Sequence, residues 1–358
     1  MISEPLVSVV TPVYNGEAFL DECIESVLAQ DYRNWEYFIV NNCSTDRTLE
    51  LGEQYAKRDR RIRVVTNQAF VGCIENHNIA LRQISPESEY CKVVCADDRL
   101  LPQCLRKMVQ VAARNPTVGI VGSYQQSDDI IKWKGLPKNV SVLPGCEVCR
   151  LSLLREVHVF GNPTSVLYRS DLVRKAIAGF FPHSAPHADT SACYAYLYHC
   201  DFGFVHEVLS GERVHAGQLT KEVEVLNGGN LAHLETLATY GPLYLSETEL
   251  AMRKHELLAN YYRMLGGCVL KMKPGAFWEF HRQGLSRIGL SLDQPRVLVE
   301  AIREVVRELR MPLTALRKLT SMLAERAHPG TMEWITKVRE SSAFSSVSRA
   351  RANQHDSN

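Results

Sequence analysis

No run of this sequence approaches the roughly 20 consecutive apolar residues that a bilayer-spanning helix needs. The opening Met1-Ile2-Ser3-Glu4-Pro5 lacks the basic start and apolar core of a secretory signal. There is no excess of either charge: the formal net charge is +1 over 358 residues, so nothing global points to nucleic acid or to an acidic surface. The cysteines lack a framework. Eleven of them are scattered and odd in number, which in a chain without an export signal reads as reduced thiols in a cytoplasmic protein. Cys146 and Cys149 form a CxxC, but no second pair stands at zinc-ribbon spacing, so a structural zinc site is not indicated.

What is present is an alternation of two periods. Leu6-Val7-Ser8-Val9-Val10 is a short β-branched run closed by Pro12, and Phe19, Leu20, Cys23, Ile24, Val27 and Leu28 then recur at helical spacing. Trp35–Val40 reads as a second strand, followed by a polar loop in which Ser44 or Thr45 caps a helix starting near Thr48. A third strand (62–65), a third helix (73–84), a fourth strand (90–95), a fourth helix (102–113) and a fifth strand (118–121) follow. Strand–helix alternation with short links predicts a doubly wound α/β sheet. In such sheets ligands bind at the carboxyl ends of the strands, and the polar clusters Tyr14-Asn15-Gly16, Asn41-Asn42 and Asp97-Asp98 fall there.

From Ser123 to Glu147 the pattern dissolves into Gly, Pro and polar residues and reads as a loop. Strands resume at Thr164–Tyr168 and Phe202–Val205, with a helix at Thr190–His199 between them. Beyond Val223 only helical patterns remain, and Ser341–Asn358, rich in Ser, Arg and Asn, is expected to be disordered. The organisation expected is therefore a first, nucleotide-type half of the sheet (1–122), a second half (123–222), a helical extension (223–340) and a tail (341–358).

Asp97 and Asp98 follow an apolar strand directly. Adjacent carboxylates repel unless a cation or strong donors compensate, and hard divalent ions such as Mn²⁺ and Mg²⁺ favour such oxygens and share phosphate oxygens with substrates. The plainer reading is a helix cap for the segment near Leu101; the position after the fourth strand of a nucleotide-type sheet favours the metal.

Several segments, in order, resemble family 2 glycosyltransferases: Val7-Ser8-Val9-Val10-Thr11-Pro12-Val13-Tyr14-Asn15-Gly16, Ser26-Val27-Leu28-Ala29-Gln30, Asn41-Asn42-Cys43-Ser44-Thr45-Asp46-Arg47-Thr48, Asn67 through Gly72 to Asn78, and Ala96-Asp97-Asp98. The resemblance covers roughly residues 5 to 220. It implies a GT-A fold with a mixed doubly wound sheet, a nucleoside-diphosphate sugar donor (commonly UDP-linked), a divalent Mn²⁺ or Mg²⁺, and inverting transfer in polysaccharide or glycoconjugate assembly. By position it implies that Pro12, Tyr14 and Asn42 line the nucleoside pocket, with Asp97 near the ribose and Asp98 on the metal. Where the family usually has Asp, this chain has Asn41 and Asn42, which bears on base preference because an amide also donates; His77 stands where it has Arg.

In the second half, His187-Ala188-Asp189-Thr190 stands at the family's acidic pair, with Ala188 replacing Glu and Asp189 retained as the base. A helix N-terminus is expected to keep Asp189 ionised. Arg213-Val214-His215 and the five residues after it resemble the family's R-x-H segment, so that His215 completes the metal shell or meets the diphosphate. The acceptor is expected to be a carbohydrate or lipid-linked, the latter bringing the protein to a membrane surface.

The alternative reading is a non-catalytic sugar-nucleotide binder of the same fold. A sugar nucleotidyltransferase would need a Gly-rich, Lys/Arg-bearing triphosphate loop after the first strand, and a dinucleotide oxidoreductase would need G-x-G-x-x-G there; neither is present. The segment from Arg307 to Thr314 resembles the dimerisation helix of sensor histidine kinases, but Arg307 occupies the place of the phosphorylated His, which removes kinase chemistry. A helical hairpin, Val305–Leu323 with Met332–Val338, is expected to pack on the catalytic domain or to pair two subunits as a homodimer.

Overall fold

The computed structural model describes residues 4–155, 157–183, 187–215 and 225–309. Its centre is a mixed sheet in the order β3-β2-β1-β4-β9-β6-β10-β5. The strands are β1 (Val7–Val13), β2 (Trp35–Asn41), β3 (Ile62–Thr66), β4 (Tyr90–Val93), β5 (Arg99–Leu100), β6 (Val118–Ser127), β7 (Ile130–Lys132), β8 (Val142–Leu143), β9 (Val166–Arg169) and β10 (Asp201–Glu212). β7 pairs with β6 and β8 with β10. β1 to β4 run parallel, as the alternation of periods predicts, and β9 is antiparallel to both β4 and β6.

β1 and β2 are buried along their whole length, as befits parallel strands covered on both faces, and this is why they read as continuous apolar runs. Pro12 is tolerated in this central strand because pairing with β4 ends at Val10–Val93, leaving β2 as the one neighbour at that point. Helices α1 (Leu20–Leu28), α2 (Thr48–Arg58), α3 (Cys73–Leu81) and α4 (Cys104–Arg114) supply the crossovers. The buried stripe of α1 is Leu20, Cys23, Ile24 and Val27, and that of α4 is Cys104, Leu105, Met108, Val109 and Ala112. α1 and α2 return the chain to β2 and β3 on one side of β1, whereas α3 carries it to β4 on the other. The switch point therefore lies between β1 and β4.

Two local expectations are corrected. Neither Ser44 nor Thr45 caps α2. The N-cap position is Arg47, whose side chain makes no capping bond; Asp46 just before it accepts through Oδ1 from the Thr48 amide at 3.0 Å, while the Ser44 hydroxyl accepts from the Asn15 amide at 2.9 Å. The expected loop from Ser123 is also largely ordered. β6 continues to Ser127, β7 and β8 follow, and α5 (Gly145–Leu153) begins before the loop was expected to end. Ser123, Gln125 and Ser127 are polar yet buried; polarity hid this strand because its side chains serve a hydrogen-bond network rather than the apolar core.

A 3-10 turn (Pro163–Ser165), α6 (Ser170–Lys175) and α7 (Ala188–Tyr196) complete the second half of the sheet region. The helices that follow are α8 (Gly228–Tyr244), α9 (Glu247–Leu270), α10 (Gly275–Arg287) and α11 (Gln294–Leu309). The chain divides into two compact units: residues up to Tyr261 with Lys273–Leu292, and Tyr262–Met272 with residues from Asp293 onward. In the second unit the Arg296 guanidinium covers the Tyr262 ring at 4.4 Å, and Gly266 admits the backbone of Glu300 and Ala301 so closely that a Cβ would stand 2.7 Å from it. The hairpin expected from Val305 is described only up to Leu309, within α11; its remainder, the expected tail and the end of the R-x-H segment from Ala216 lie outside the described residues. Among the described residues no helix is long and apolar enough to cross a membrane.

Candidate functional site

The loops that leave β1, β2 and β4 meet at the switch point. The β1 loop is tied to the β2 loop through Asn15, whose Oδ1 accepts from the Thr45 amide at 2.8 Å, and through Gly16, whose amide donates to Thr48 Oγ1 at 2.8 Å. A Cβ at Gly16 would stand 2.5 Å from Val13 Cγ2, so the turn needs glycine. Tyr14 is thereby held out into solvent, its ring meeting that of the exposed Phe70 edge-on at 4.8 Å. Pro12 is buried within β1.

Asn42 has a different surrounding from the nucleoside contact expected of it. It is 3% exposed. Its Oδ1 accepts from Asn67 Nδ2 at 2.9 Å and from the Val71 amide at 3.0 Å, and its Nδ2 donates to the Val71 carbonyl at 2.7 Å. Both acceptor positions are taken, so the amide clamps the 67–71 loop beneath Phe70. An aspartate could not make the bond to the Val71 carbonyl, which gives the departure from the family's Asp a structural reason. Asn42→Ala strands the Asn67 amide and the Val71 amide; the expected loss of stability is about 1–3 kcal/mol, measured by urea unfolding.

The two adjacent aspartates are placed differently. Asp98 is 4% exposed. Its Oδ2 accepts from Asn162 Nδ2 at 3.2 Å, its Oδ1 accepts from the Arg213 amide at 3.3 Å, and the Thr164 hydroxyl bonds to it as well. Burial, with the neighbouring charge of Asp97, pushes its carboxyl up to about 7. Asp97 is less covered, and its Oδ2 lies 3.0 Å from His215 Nε2. Cys95, Asp97 and Asp98 can each present one ligand atom within 4.8 Å of the others. Neither carboxylate caps α4, which starts at Cys104 without a side-chain cap.

Asp189 stands in the first turn of α7, its Oδ1 accepting from the Thr190 amide at 2.8 Å. The expectation that the helix N-terminus keeps its acidity is corrected: the carboxyl is pushed above its ordinary range. Burial outweighs the Thr190 amide and the positive charges available at His187 and His77. His77, whose Nδ1 lies 2.9 Å from the Cys73 carbonyl, feels the charges of both Asp189 and Asp97. His183, by contrast, pairs with Glu75 at 3.1 Å.

The comparisons with known proteins bear on the family and the fold. The sequence model of Glycosyl transferase family 2 matches residues 8–176. Residues 8–176 belong to that family. An uncharacterized glycosyltransferase of Haemophilus influenzae is 38% identical over 120 residues, covering 34% of this chain and 36% of that protein. The putative teichuronic acid biosynthesis glycosyltransferase TuaG of Bacillus subtilis is 36% identical over 107 residues, covering 30% of this chain and 42% of that protein. The matched segment thus spans well under half the length of these relatives. Among solved structures, S. aureus TarS 1-349 in complex with UDP-GlcNAc has a TM-score of 0.58 at 17% identity, covering 84% of this chain and 88% of that one. The mannosyltransferase PcManGT of Pyrobaculum calidifontis, in complex with GDP-Man and Mn²⁺, has a TM-score of 0.53 at 16% identity, covering 92% and 83%. The fold is GT-A.

Behind the aspartates of this glycosyltransferase family 2 domain stand residues that sequence reasoning did not single out. Lys92, fully buried in β4, donates through Nζ to the carbonyls of Thr164 at 2.6 Å and Val166 at 3.0 Å. Thr164 in turn accepts from the Cys95 amide at 3.0 Å and bonds to Asp98. Asn162 is oriented by Gln125, whose Nε2 donates to Asn162 Oδ1 at 2.9 Å, and Gln125 Oε1 accepts from Trp133 Nε1 at 3.1 Å. A lone lysine inside an apolar strand was the one signal in the sequence that pointed to this scaffold; Gln125, Trp133 and Asn162 join it from 27, 35 and 64 residues beyond Asp98.

Proposed function

We propose that this protein transfers a sugar from a nucleoside-diphosphate sugar, UDP-linked by family resemblance, to a hydroxyl of a carbohydrate or lipid-linked acceptor, with inversion, in polysaccharide or glycoconjugate assembly. The observation that carries the reading is the Asp97–His215 pair at the sheet's switch point, where Cys95, Asp97 and Asp98 can present ligand atoms within 4.8 Å of one another. Asp97 and His215 offer an oxygen and a nitrogen to one divalent ion, Mn²⁺ or Mg²⁺, and Asp98 backs them by fixing the turn to Asn162 and to the Arg213 backbone. When bound, such an ion offsets the negative charge that develops on the departing diphosphate.

The chain's own residues supply the rest. Tyr14 and Phe70 offer aromatic faces for the base, held at the mouth of the loops by Asn15 and Asn42. Asp189 accepts the proton of the acceptor hydroxyl as its oxygen attacks the anomeric carbon from the face opposite the diphosphate. Its raised pKa makes it a stronger base than an ordinary carboxylate once ionised.

The test is thermal stability against UDP, GDP, CDP, ADP and dTDP, each with and without Mn²⁺, followed by release of free sugar from the matching donor. A metal-dependent rise with one nucleotide, together with turnover, supports the reading. A rise without turnover makes the protein a binder, and no rise with any nucleotide overturns the donor site. Phe70→Ala is expected to weaken the nucleotide by about 1–3 kcal/mol, the worth of one base–aromatic stack, measured by calorimetric titration.

A further inference from the structure

We infer that the acceptor carries a phosphate, bound by Arg155 and the histidines around it beside Asp189. The inference rests on the transferase reading above and names the class of its acceptor.

The geometry comes from three helices of one compact unit. Tyr240 of α8 stacks on Tyr194 of α7 with ring centroids 5.3 Å apart, Tyr244 donates to the Tyr194 carbonyl, and the Tyr244 ring also meets Tyr198 at 6.0 Å. Tyr198, just beyond the end of α7, thus lies toward the later part of α8, and at the other end His233 feels the charge of His187. His233 precedes Tyr240 by seven residues, about two turns on the same helix face, and this puts it alongside the start of α7, where His187 and Asp189 stand. Arg155 follows α5, which also packs on α8. Its Nη2 lies 2.8 Å from His233 Nδ1. A guanidinium only donates, so His233 accepts through Nδ1 and cannot carry a proton there.

The charges acting on His233 are all positive, and the carboxylate that acts on Arg155 is Glu256. His233 is held down to about 4 by partial desolvation and then by the charges of Arg155, His187, Arg253 and His158. The nearby carboxylates are engaged elsewhere: Glu256 pairs with Arg253, and Glu235 with Arg287 at 2.7 Å. Among the described residues no carboxylate oxygen lies within ion-pair distance of Arg155, which is half-buried and whose hydrogen-bond partner is a neutral imidazole nitrogen. Glu256, the carboxylate that acts on Arg155, is shared with Arg253, so two cations face one carboxylate and an incoming anion relieves the imbalance. The planar fork of Arg155 and the surrounding ring nitrogens match phosphate oxygens. A phosphate held there would bring the acceptor hydroxyl next to the base.

The test is calorimetric titration of the full chain, in EDTA so that no metal recruits phosphate to Asp97, with glycerol 3-phosphate and with glycerol. The phosphate is expected to bind and glycerol not to bind. Arg155→Ala is expected to weaken binding by about tenfold or more, the loss of a charge-assisted bond, and Arg155→Lys, which keeps the charge without the fork, to weaken it less. Equal affinity in either variant, or no binding to the wild type, overturns the inference; if Arg155→Ala does not fold, the Lys variant decides. Dodecyl phosphate separates the sources: tighter binding assigns the phosphate to a lipid-linked acceptor and equal binding to a soluble one, and both support the site. UDP with Mn²⁺ is titrated in parallel. UDP binding with no phosphate binding overturns this inference alone, whereas phosphate binding without UDP binding supports the anion site and overturns the donor reading.

Discussion

Asp97→Ala is expected to abolish the Mn²⁺-dependent rise in melting temperature with nucleotide and to lower turnover by about 10²–10³-fold, because several kcal/mol of charge stabilisation at the diphosphate go with the ligand. The same substitution should leave the metal-free protein as stable as the wild type, or more so. Asp97 is one of the charges that push up the buried Asp98 carboxyl, and removing it relieves that repulsion. A variant that melts earlier in EDTA would mark Asp97 as part of the scaffold, and one that keeps the Mn²⁺ response would sink its assignment to the metal. The contrast with Asp98→Ala is informative. That change takes away the acceptor for Asn162, Thr164 and the Arg213 amide, so it should lower stability whether or not metal is present. Fluorescence-monitored melting of the three proteins, with and without Mn²⁺, separates the two roles.

Asp189→Asn is expected to reduce transfer by about 10²–10⁴-fold, the usual worth of a positioned general base, while nucleotide affinity stays within about twofold. The amide oxygen can still accept from the Thr190 amide, so α7 keeps its start and the loss is chemical. The pH profile gives a second readout. Because burial raises the Asp189 pKa, the active ionised form is populated only at higher pH than for an ordinary carboxylate. The acid limb of kcat/KM should therefore lie above the usual Asp range, with activity rising as pH increases through it. Loss of nucleotide binding in this variant would make Asp189 a structural residue instead.

Much of the nucleotide half was legible in order. The apolar runs of β1 and β2 and the helical stripe of α1 have their side chains where the periods put them, because local hydrophobic pattern and burial agree there. The second half was harder to read. Ser123 to Ser127 looked like a loop, since Gln125 and its neighbours serve Asn162 and Trp133 instead of an apolar core. Asn42 was legible as a site position, but its task could not be read from spacing: only the folded 67–71 loop shows both lone pairs of its oxygen engaged.

Contiguous residues specify the alternating architecture, the switch-point loops and the aspartates that follow β4, because the period or chemistry of each is local. Which aspartate turns inward was decided by tertiary structure alone. Asp97 and Asp98 are neighbours with the same side chain, and they differ in what reaches them: His215 from the segment after β10 for one, Asn162 and Thr164 from the turn before β9 for the other. Those partners lie more than sixty residues away, and together they leave Asp98 buried and Asp97 partly open.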